Sequence, residues 1–179
     1  MTNQPNNDFL YAVALSLIPK LGPGTYKKII LHCGSAASFF NLPSGKLERI
    51  QGIGPKLLAF RKKKLNYLQE AEQIIEAANQ NQIQVHCFQD ENYPGRLKSI
   101  PDAPPVLFSR GNLDLNPKRT LGIVGTRKAT QYGKNITQQI TEELSRFGPC
   151  IISGLAYGID IEAHRAALAR NLPTIGVMG

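Results

Sequence analysis

The sequence predicts an α/β protein in which a helical N-terminal domain precedes a Rossmann-like domain with a parallel sheet. Three observations carry this prediction. Residues 1–80 contain an internal repeat with helical spacing, residues 90–118 are rich in proline, and after residue 119 short apolar strands alternate with helices. A hydrophobic content of 42% is sufficient for a folded core. The domain boundary is placed near residue 80, which gives domains 1–80 and 81–179.

The first domain repeats one pattern along its sequence. Residues 21–24 read Leu-Gly-Pro-Gly, residues 51–54 read Gln-Gly-Ile-Gly, and a basic residue follows each, at Lys27 and Lys56. Apolar residues on both sides of these turns have helical spacing. Each repeat is therefore predicted to be a helix, a Gly-x-Gly turn and a second helix, which is the helix-hairpin-helix arrangement.

Such turns are suited to binding a nucleic-acid backbone. Glycine permits positive φ and close approach, so N–H groups at the start of the next helix can face a phosphate. Pro23 and Pro55 each remove a donor, so a tight turn in a helical bundle, or a protein-interaction domain, stays an alternative. The basic run at residues 61–64 is likewise either a DNA contact or a solvated helix face.

A helix, a strand and a connector are predicted after the repeat. Residues 67–78 have one apolar stripe, as in a packed helix. Residues 82–87 alternate between polar and apolar, which predicts a half-buried strand with His86 facing solvent. Five prolines between residues 90 and 118 predict an extended connector with one short strand at 106–109.

The second domain is predicted to contain three strands and two helices. The strands are residues 121–124, 150–152 and 174–178, and the helices are residues 131–147 and 161–169. Helices of this length supply the crossovers that parallel strands need. Ligands of such sheets bind at the carboxyl ends of the strands, so the residues that follow the first two strands form the candidate site.

Glycine-containing turns follow both of those strands. Gly125 lets the backbone bend, Thr126 can bond an oxygen through its hydroxyl and N–H, and Arg127 offers a planar fork that suits phosphate. Together the two turns predict one anion pocket, with two lysines at its rim. Its residues are Gly125, Thr126, Arg127, Lys128, Lys134, Ser153, Gly154 and Gly158.

Several functions are disfavoured because their motifs are missing. No Gly-x-Gly-x-x-Gly follows a strand with an acidic residue about 20 positions on, and no Walker A sequence is present, so dinucleotide binding and ATP hydrolysis are not expected. The three cysteines are odd in number and far apart, which fits neither a disulfide framework nor a zinc knuckle. We expect no cofactor, no metal and no catalytic residue.

Charge and hydropathy indicate the partner and the compartment. The net charge is +8, with a positive excess both in residues 1–80 and in residues 119–179, which favours a polyanionic partner. The longest strongly apolar run, residues 9–18, is too short to cross a bilayer. The first eight residues carry no basic segment of a secretory signal. A cytoplasmic protein without a membrane span is predicted.

Four residues on or beside the turns keep other functions open. The competing class of function is an enzyme, a Rossmann-like nucleotide or phosphoribosyl hydrolase, which would require a catalytic Glu with a Gly-rich phosphate loop, and the sequence shows no such set up to Gly179. Asp160 and His164, one helical turn apart, could form the acid–base pair of a hydrolase. We favour a structural role, in which Asp160 caps the helix, because no nucleophile or metal ligand set accompanies the pair. Tyr132 and Tyr157 suit either base stacking or packing against the protein.

Further sequence blocks carry a resemblance to a known family. They are Tyr93-Pro94-x-x-Leu97-x-x-Ile100-x-Asp102-x-Pro104-x-Val106-Leu107, then Gly125-Thr126-Arg127, Tyr132-Gly133-Lys134, and Ser153-Gly154-Leu155-Ala156-x-Gly158-Ile159-Asp160-x-x-Ala163-His164. Over most of residues 8–179 the sequence resembles the DNA-processing protein A family (DprA, also called Smf). The last of these blocks is the most specific.

The resemblance implies a bacterial cytoplasmic protein that binds single-stranded DNA, protects incoming strands during natural transformation and loads the recombinase RecA. It also implies a sterile-alpha-motif-like helical domain before the Rossmann-like one. The family's phosphate pocket falls on Gly125, Thr126 and Arg127, with residues 154–160 as its second wall. Relatives continue beyond the third strand, so we expect the Rossmann-like domain to be incomplete at its C terminus. The homodimer of the full-length family is accordingly not carried over to this fragment.

Overall fold

The structure, a computed structural model, describes residues 7–50, 52–112 and 114–179. Contacts divide the chain into two compact units, Met1–Asn116 and Pro117–Gly179. Two of the expectations from the sequence fall on residues outside these ranges. One concerns the polar N terminus, residues 1–6, and the other concerns Gln51, the first residue of the second glycine pattern.

The first unit is mainly helical, as expected. Its helices are α1 (Asn7–Ser16), α2 (Pro23–Cys33), α3 (Ala36–Asn41), α4 (Ser44–Leu47), α5 (Pro55–Phe60), α6 (Lys64–Gln80) and α7 (Gly95–Lys98), with a 3-10 turn at Arg61–Lys63. Leu15, Tyr26 and Phe39 have no solvent exposure and lie in one shared apolar core. This core holds the helices together, because its apolar side chains are removed from water.

Both glycine patterns precede a helix. Gly22 and Gly54 are the residues before α2 and α5, each in an extended conformation and each followed by proline. Gly52 has a φ of +100°, and a Cβ on it would lie 3.7 Å from Thr25 Oγ1 in the first pattern. The two patterns are therefore neighbours in space. The positive φ expected of these turns occurs at Gly52 and not at Gly22 or Gly54.

Two antiparallel strands, β1 (Ile83–Cys87) and β2 (Val106–Arg110), belong to the same unit. Cys87 is buried in the helical core, and Val85 and Val106 pack against it. Contacts therefore divide the chain after Asn116, although the sequence places the domain boundary near residue 80. The division into 1–80 and 81–179 stays a prediction.

The solvent-facing position expected for His86 is wrong. Its side chain is buried, and Nε2 lies 2.8 Å from the Ser109 hydroxyl on β2. Alternation identifies the two faces of a strand but not whether both are covered, and here the successive residues His86 and Cys87 are both buried. The predicted connector is also more ordered than expected, since Tyr93 is buried and its hydroxyl donates to the Pro104 carbonyl at 2.7 Å.

The second unit is a parallel sheet with two crossover helices. Its elements are β3 (Thr120–Gly122), α8 (Gln131–Leu144), a 3-10 turn (Ser145–Phe147), β4 (Cys150–Gly154), α9 (Ile159–Ala169) and β5 (Thr174–Val177). The strand order is β3-β4-β5, and both pairs are parallel. Ile151 of β4 is buried with Ala163 and Ala167 of α9. The α/β class with a Rossmann-like parallel sheet is confirmed, and it places the carboxyl ends of β3 and β4 side by side.

Candidate functional site

The turns that follow β3 and β4 are bonded to each other. The Ile159 N–H at the start of α9 donates to the Thr126 carbonyl at 3.2 Å. In the opposite direction, the Gly125 N–H donates to Asp160 Oδ1 at 3.4 Å. The sequence predicted that two neighbouring strand ends would build one site, and these two bonds join the turns that flank it.

Glycines let these turns approach closely. Gly158 has a φ of +90°, and a Cβ there would overlap the carbonyl groups of Thr126 and Arg127. A Cβ on Gly125 would lie 2.7 Å from the Ile159 side chain, and one on Gly133 would lie 3.2 Å from it. Sequence reasoning missed the role of Ile159. The signal was the set of three glycines at its contacts: Gly125 and Gly133 leave room for the Ile159 side chain, and Gly158 leaves room for the turn that carries it.

Asp160 and His164 hold the second turn in place. His164 Nε2 lies 2.7 Å from the Gly154 carbonyl oxygen, and its Nδ1 lies 2.7 Å from the Thr174 hydroxyl on β5. Both side chains are buried, and the Asp160 carboxylate lies where a Cβ of Gly154 would be. The bonds of this pair run to the backbone and to Thr174, so both side chains have structural partners.

The capping role expected of Asp160 needs a correction. The helix α9 begins at Ile159 with Gly158 as its N-cap, so Asp160 lies inside the first turn. Its carboxylate accepts from the Gly125 N–H in the neighbouring turn. The helix starts earlier than the apolar pattern indicated, because Gly158 provides a φ that other residues rarely adopt.

Ser153 also differs from its predicted role. It is buried, and its hydroxyl donates to the Ile123 carbonyl at 2.5 Å. The donor that was expected to hold a phosphate therefore links β4 to the end of β3. Gly154 is half-buried, and in the second wall Gly158 lies against the backbone of Arg127, since a Cβ on Gly158 would lie 2.7 Å from the Arg127 carbonyl oxygen.

The exposed part of the site is cationic. Arg127 and Lys128 are exposed, Lys134 is half-buried, and residues 124–134 contain no acidic residue. The exposed Thr126 uses its hydroxyl to accept the Lys128 N–H at 3.1 Å, which shapes the turn. The acids that follow the second turn, Asp160 and Glu162, are buried; the first accepts from Gly125 and the second accepts from Gln138. Exposed charge at the turns is thus of one sign, which attracts anions.

Neither a metal site nor a membrane span is found in the part of the chain that the structure describes. Its His, Cys, Asp and Glu residues form no group of three or more that could hold a metal ion. The described helices include none that is long and apolar enough to cross a bilayer.

The structure separates the alternatives left open for the two tyrosines on the turns. Tyr132 is 75% exposed and Tyr157 is 85% exposed. Neither ring is buried against its own unit, so packing against the protein does not explain the position of either ring.

The basic run at residues 61–64 is divided between the interior and the solvent. Arg61 Nη2 donates to the Phe40 carbonyl at 3.0 Å, and Lys64 Nζ donates to Asn41 Oδ1 at 2.8 Å. Lys62 and Lys63 are exposed. Half of the run therefore serves the fold of the first unit. Lys27, beside the first glycine pattern, is also engaged, since its Nζ donates to the Ile100 carbonyl at 2.6 Å.

Comparisons with known proteins identify a family. The model of the DNA recombination-mediator protein A family matches residues 84–179. Protein Smf of Synechocystis sp. is 33% identical over 178 residues, covering 97% of this chain and 44% of the relative. DNA processing protein DprA of Bacillus subtilis is 34% identical over 151 residues, covering 84% of this chain and 51% of the relative.

A solved structure is similar as well. The X-ray structure of DNA processing protein A from Streptococcus pneumoniae has a TM-score of 0.60 and 27% identity, and the match covers 96% of this chain and 56% of that one. The chain therefore spans about half the length of the relatives that it matches. The match to that structure includes residues of both units described above.

Proposed function

Because this chain belongs to the DNA recombination-mediator protein A family, we propose that it binds single-stranded DNA through the phosphates and acts in DNA transformation and recombination. The observation that carries this proposal is the pair of joined turns, on which Arg127 and Lys128 are exposed while Asp160 is buried and already bonded. A polyanion that approaches these turns meets cations without an exposed competing carboxylate among residues 124–134.

Phosphate contacts explain why no base sequence would be selected. The Arg127 guanidinium can pair with two phosphate oxygens in one plane, and Lys128 and Lys134 add point charges. Such contacts position a strand without reading its bases. The backbone of the Arg127 turn is fixed by Gly158 and Ile159, so little conformational freedom is lost when a phosphate binds.

Binding, and not catalysis, is the proposed chemistry. The alternative, a nucleotide or phosphoribosyl hydrolase, would require a catalytic Glu, and a hydrolase that relied on Asp160 and His164 would need both as a free acid–base pair. Here Asp160 accepts from Gly125, and His164 lies between Gly154 and Thr174. These bonds give the pair a structural task, which supports a site that holds DNA without altering it.

The wider role follows from the family and is proposed for the whole protein. Two relatives are named for DNA processing, and the corresponding activity here would be to protect incoming strands in the cytoplasm and to load the recombinase RecA. A homodimer would belong to the full-length protein. The phosphate site on the second unit is the part of this role that the 179-residue chain carries.

Replacement of Arg127 by alanine tests the proposal. We expect the affinity of the 179-residue chain for a fluorescein-labelled dT oligonucleotide, measured by anisotropy, to fall by about ten- to hundredfold, as for a lost charge-assisted hydrogen bond. The slope of log affinity against log salt should also decrease by about 0.7, which corresponds to one phosphate of a single strand.

Arg146→Ala is the matched control. Arg146 is equally exposed and lies before β4, at the amino end of the sheet. This substitution removes the same charge as Arg127→Ala, so we expect only a small loss of affinity, confined to low salt. Equal losses in the two variants would show that net charge alone drives binding and would reject the site.

A further inference from the structure

Two tyrosines of this protein are exposed, while the others are covered. The chain has six tyrosines and no tryptophan. Tyr26, Tyr67 and Tyr93 are buried and Tyr11 is half-buried, whereas Tyr132 and Tyr157 are 75% and 85% exposed. A large aromatic ring in water forgoes the stabilisation that burial provides. Two such rings, one in the first turn of α8 and one in the turn before α9, therefore suggest a ligand surface.

Both tyrosines flank the Arg127 turn. Tyr157 immediately precedes Gly158, whose Cα lies against the Thr126 and Arg127 carbonyl groups. Tyr132 immediately precedes Gly133, whose Cβ position lies 3.2 Å from Ile159 Cδ1. Each tyrosine is thus next in sequence to a glycine that lies at the contact between the two turns, where Ile159 bonds to Thr126.

The rings have no partners within their own unit. Among the described residues, the side chain of neither Tyr132 nor Tyr157 has a hydrogen-bond partner or a ring contact. In the first unit, by contrast, the Tyr93 hydroxyl donates to Pro104 and its ring lies 5.5 Å from that of Phe88. The first unit shows how this protein places a ring that serves packing, and the two exposed rings are placed differently.

We propose that Tyr132 and Tyr157 form a base-stacking platform for an unpaired nucleic-acid strand whose phosphates are held by the Arg127 turn. This inference rests on the proposed function and adds to it the part of the ligand that is recognised. Exposed rings beside cations are the combination by which single strands are bound without sequence preference. A duplex hides the faces of its bases, so the platform selects an unpaired strand.

The test compares two oligonucleotides of the same length and charge, oligo-dT and an abasic oligodeoxynucleotide. Wild-type chain should bind oligo-dT more tightly, by about tenfold for each ring that stacks. Tyr157→Ser and Tyr132→Ser should each remove about one such factor for oligo-dT and leave the abasic affinity unchanged. Tyr157→Phe is the matched control, because it keeps the ring, and should retain the preference.

Tyrosine emission gives a second readout, since the chain lacks tryptophan. Oligo-dT should quench the emission of the wild-type chain, and the doubly substituted chain, Tyr132→Ser with Tyr157→Ser, should lose most of that quenching. The abasic strand should quench neither protein, since it carries no bases to stack.

The outcomes distinguish this inference from the proposed function. If Arg127→Ala weakens both oligonucleotides while wild type binds them equally, the platform is rejected and phosphate binding stands. If wild type binds neither, the proposed function itself fails. Equal losses for both strands in the serine variants would mean that the rings only support the turn. A changed oligomeric state with unchanged binding would mean that they contact protein, and both results overturn the platform.

Discussion

At the level of single residues, the site depends on positions where no side chain fits. Gly158 combines a φ of +90° with contact to the carbonyl groups of Thr126 and Arg127. Gly125 and Gly133 leave the space that Ile159 fills. The sequence indicated glycines that bend the chain, and the structure adds that these glycines allow two turns to touch.

Gly158→Ala is therefore expected to destabilise the second unit. The overlap with the Thr126 carbonyl and the unfavourable φ should together lower the free energy of unfolding by about 2 to 5 kcal/mol. Gly148→Ala is the control, because Gly148 has a φ of +59° but no atom within 4 Å of its Cβ position. It should cost about 1 to 2 kcal/mol. Urea unfolding of both variants measures the difference, and equal costs would show that the close approach is not tight.

At the level of elements, Arg61 of the basic run caps the C-terminal end of α3. The Arg61 guanidinium donates to the carbonyl groups of Phe40 and Leu42 and to the Ser44 hydroxyl, at and after the end of α3. It also lies 5.7 Å from the centre of the Phe39 ring. Carbonyl groups at a helix end lack intrahelical donors, so this arginine ties α3 to the start of α6 through the 3-10 turn between α5 and α6.

Arg61→Ala should lower the free energy of unfolding of the first unit by about 2 kcal/mol or more, because charge-assisted bonds to two carbonyl groups are lost. Arg61→Lys should recover only part of this, since an ammonium lacks the planar fork. Lys62→Ala, at the exposed neighbour, should change stability by no more than about 0.5 kcal/mol. Chemical denaturation followed by circular dichroism measures all three, and similar losses for Arg61 and Lys62 would contradict the capping role.

At the level of the whole molecule, each of the two units has its own apolar core. The first unit buries Tyr26 and Cys87 among its helices, and the second buries Ile151 under α9. The net charge of +8 is shared between residues 1–80 and residues 119–179. Stability can therefore be altered in one unit by groups that have no part in the proposed site of the other.

The stability of the first unit should fall at alkaline pH. Burial, followed by the carboxylates of Asp90 and Asp8, raises the pKa of the Cys87 thiol to about 12. Burial also raises the pKa of Tyr26. An unfolded thiol ionises near pH 8.5, so above this pH the unfolded state binds fewer protons than the native state. The stability that the protonated Cys87 thiol contributes is complete below about pH 8 and is lost as pH rises towards 12, by about 1.4 kcal/mol per pH unit. Tyr26 adds a further loss only above about pH 10, where an unfolded tyrosine ionises.

Urea unfolding between pH 7 and pH 10 tests this expectation. Cys87→Ala should give a curve of stability against pH that is flatter above about pH 9, whatever its constant cost in packing. Curves that run parallel for wild type and variant would show that this thiol does not titrate differently in the two states.

The amino-acid sequence by itself determined the α/β class, the order of strands and helices in the second unit, and the two glycine turns, because these depend on local periodicity and on glycine positions along the chain. It placed Arg127 and Lys128 on an exposed turn for the same reason. The tertiary structure decided which polar groups were available. It turned Ser153 and His86 to internal partners and left Tyr132 and Tyr157 in water. Burial is set by neighbours distant in sequence, and no local pattern specifies which neighbours those are.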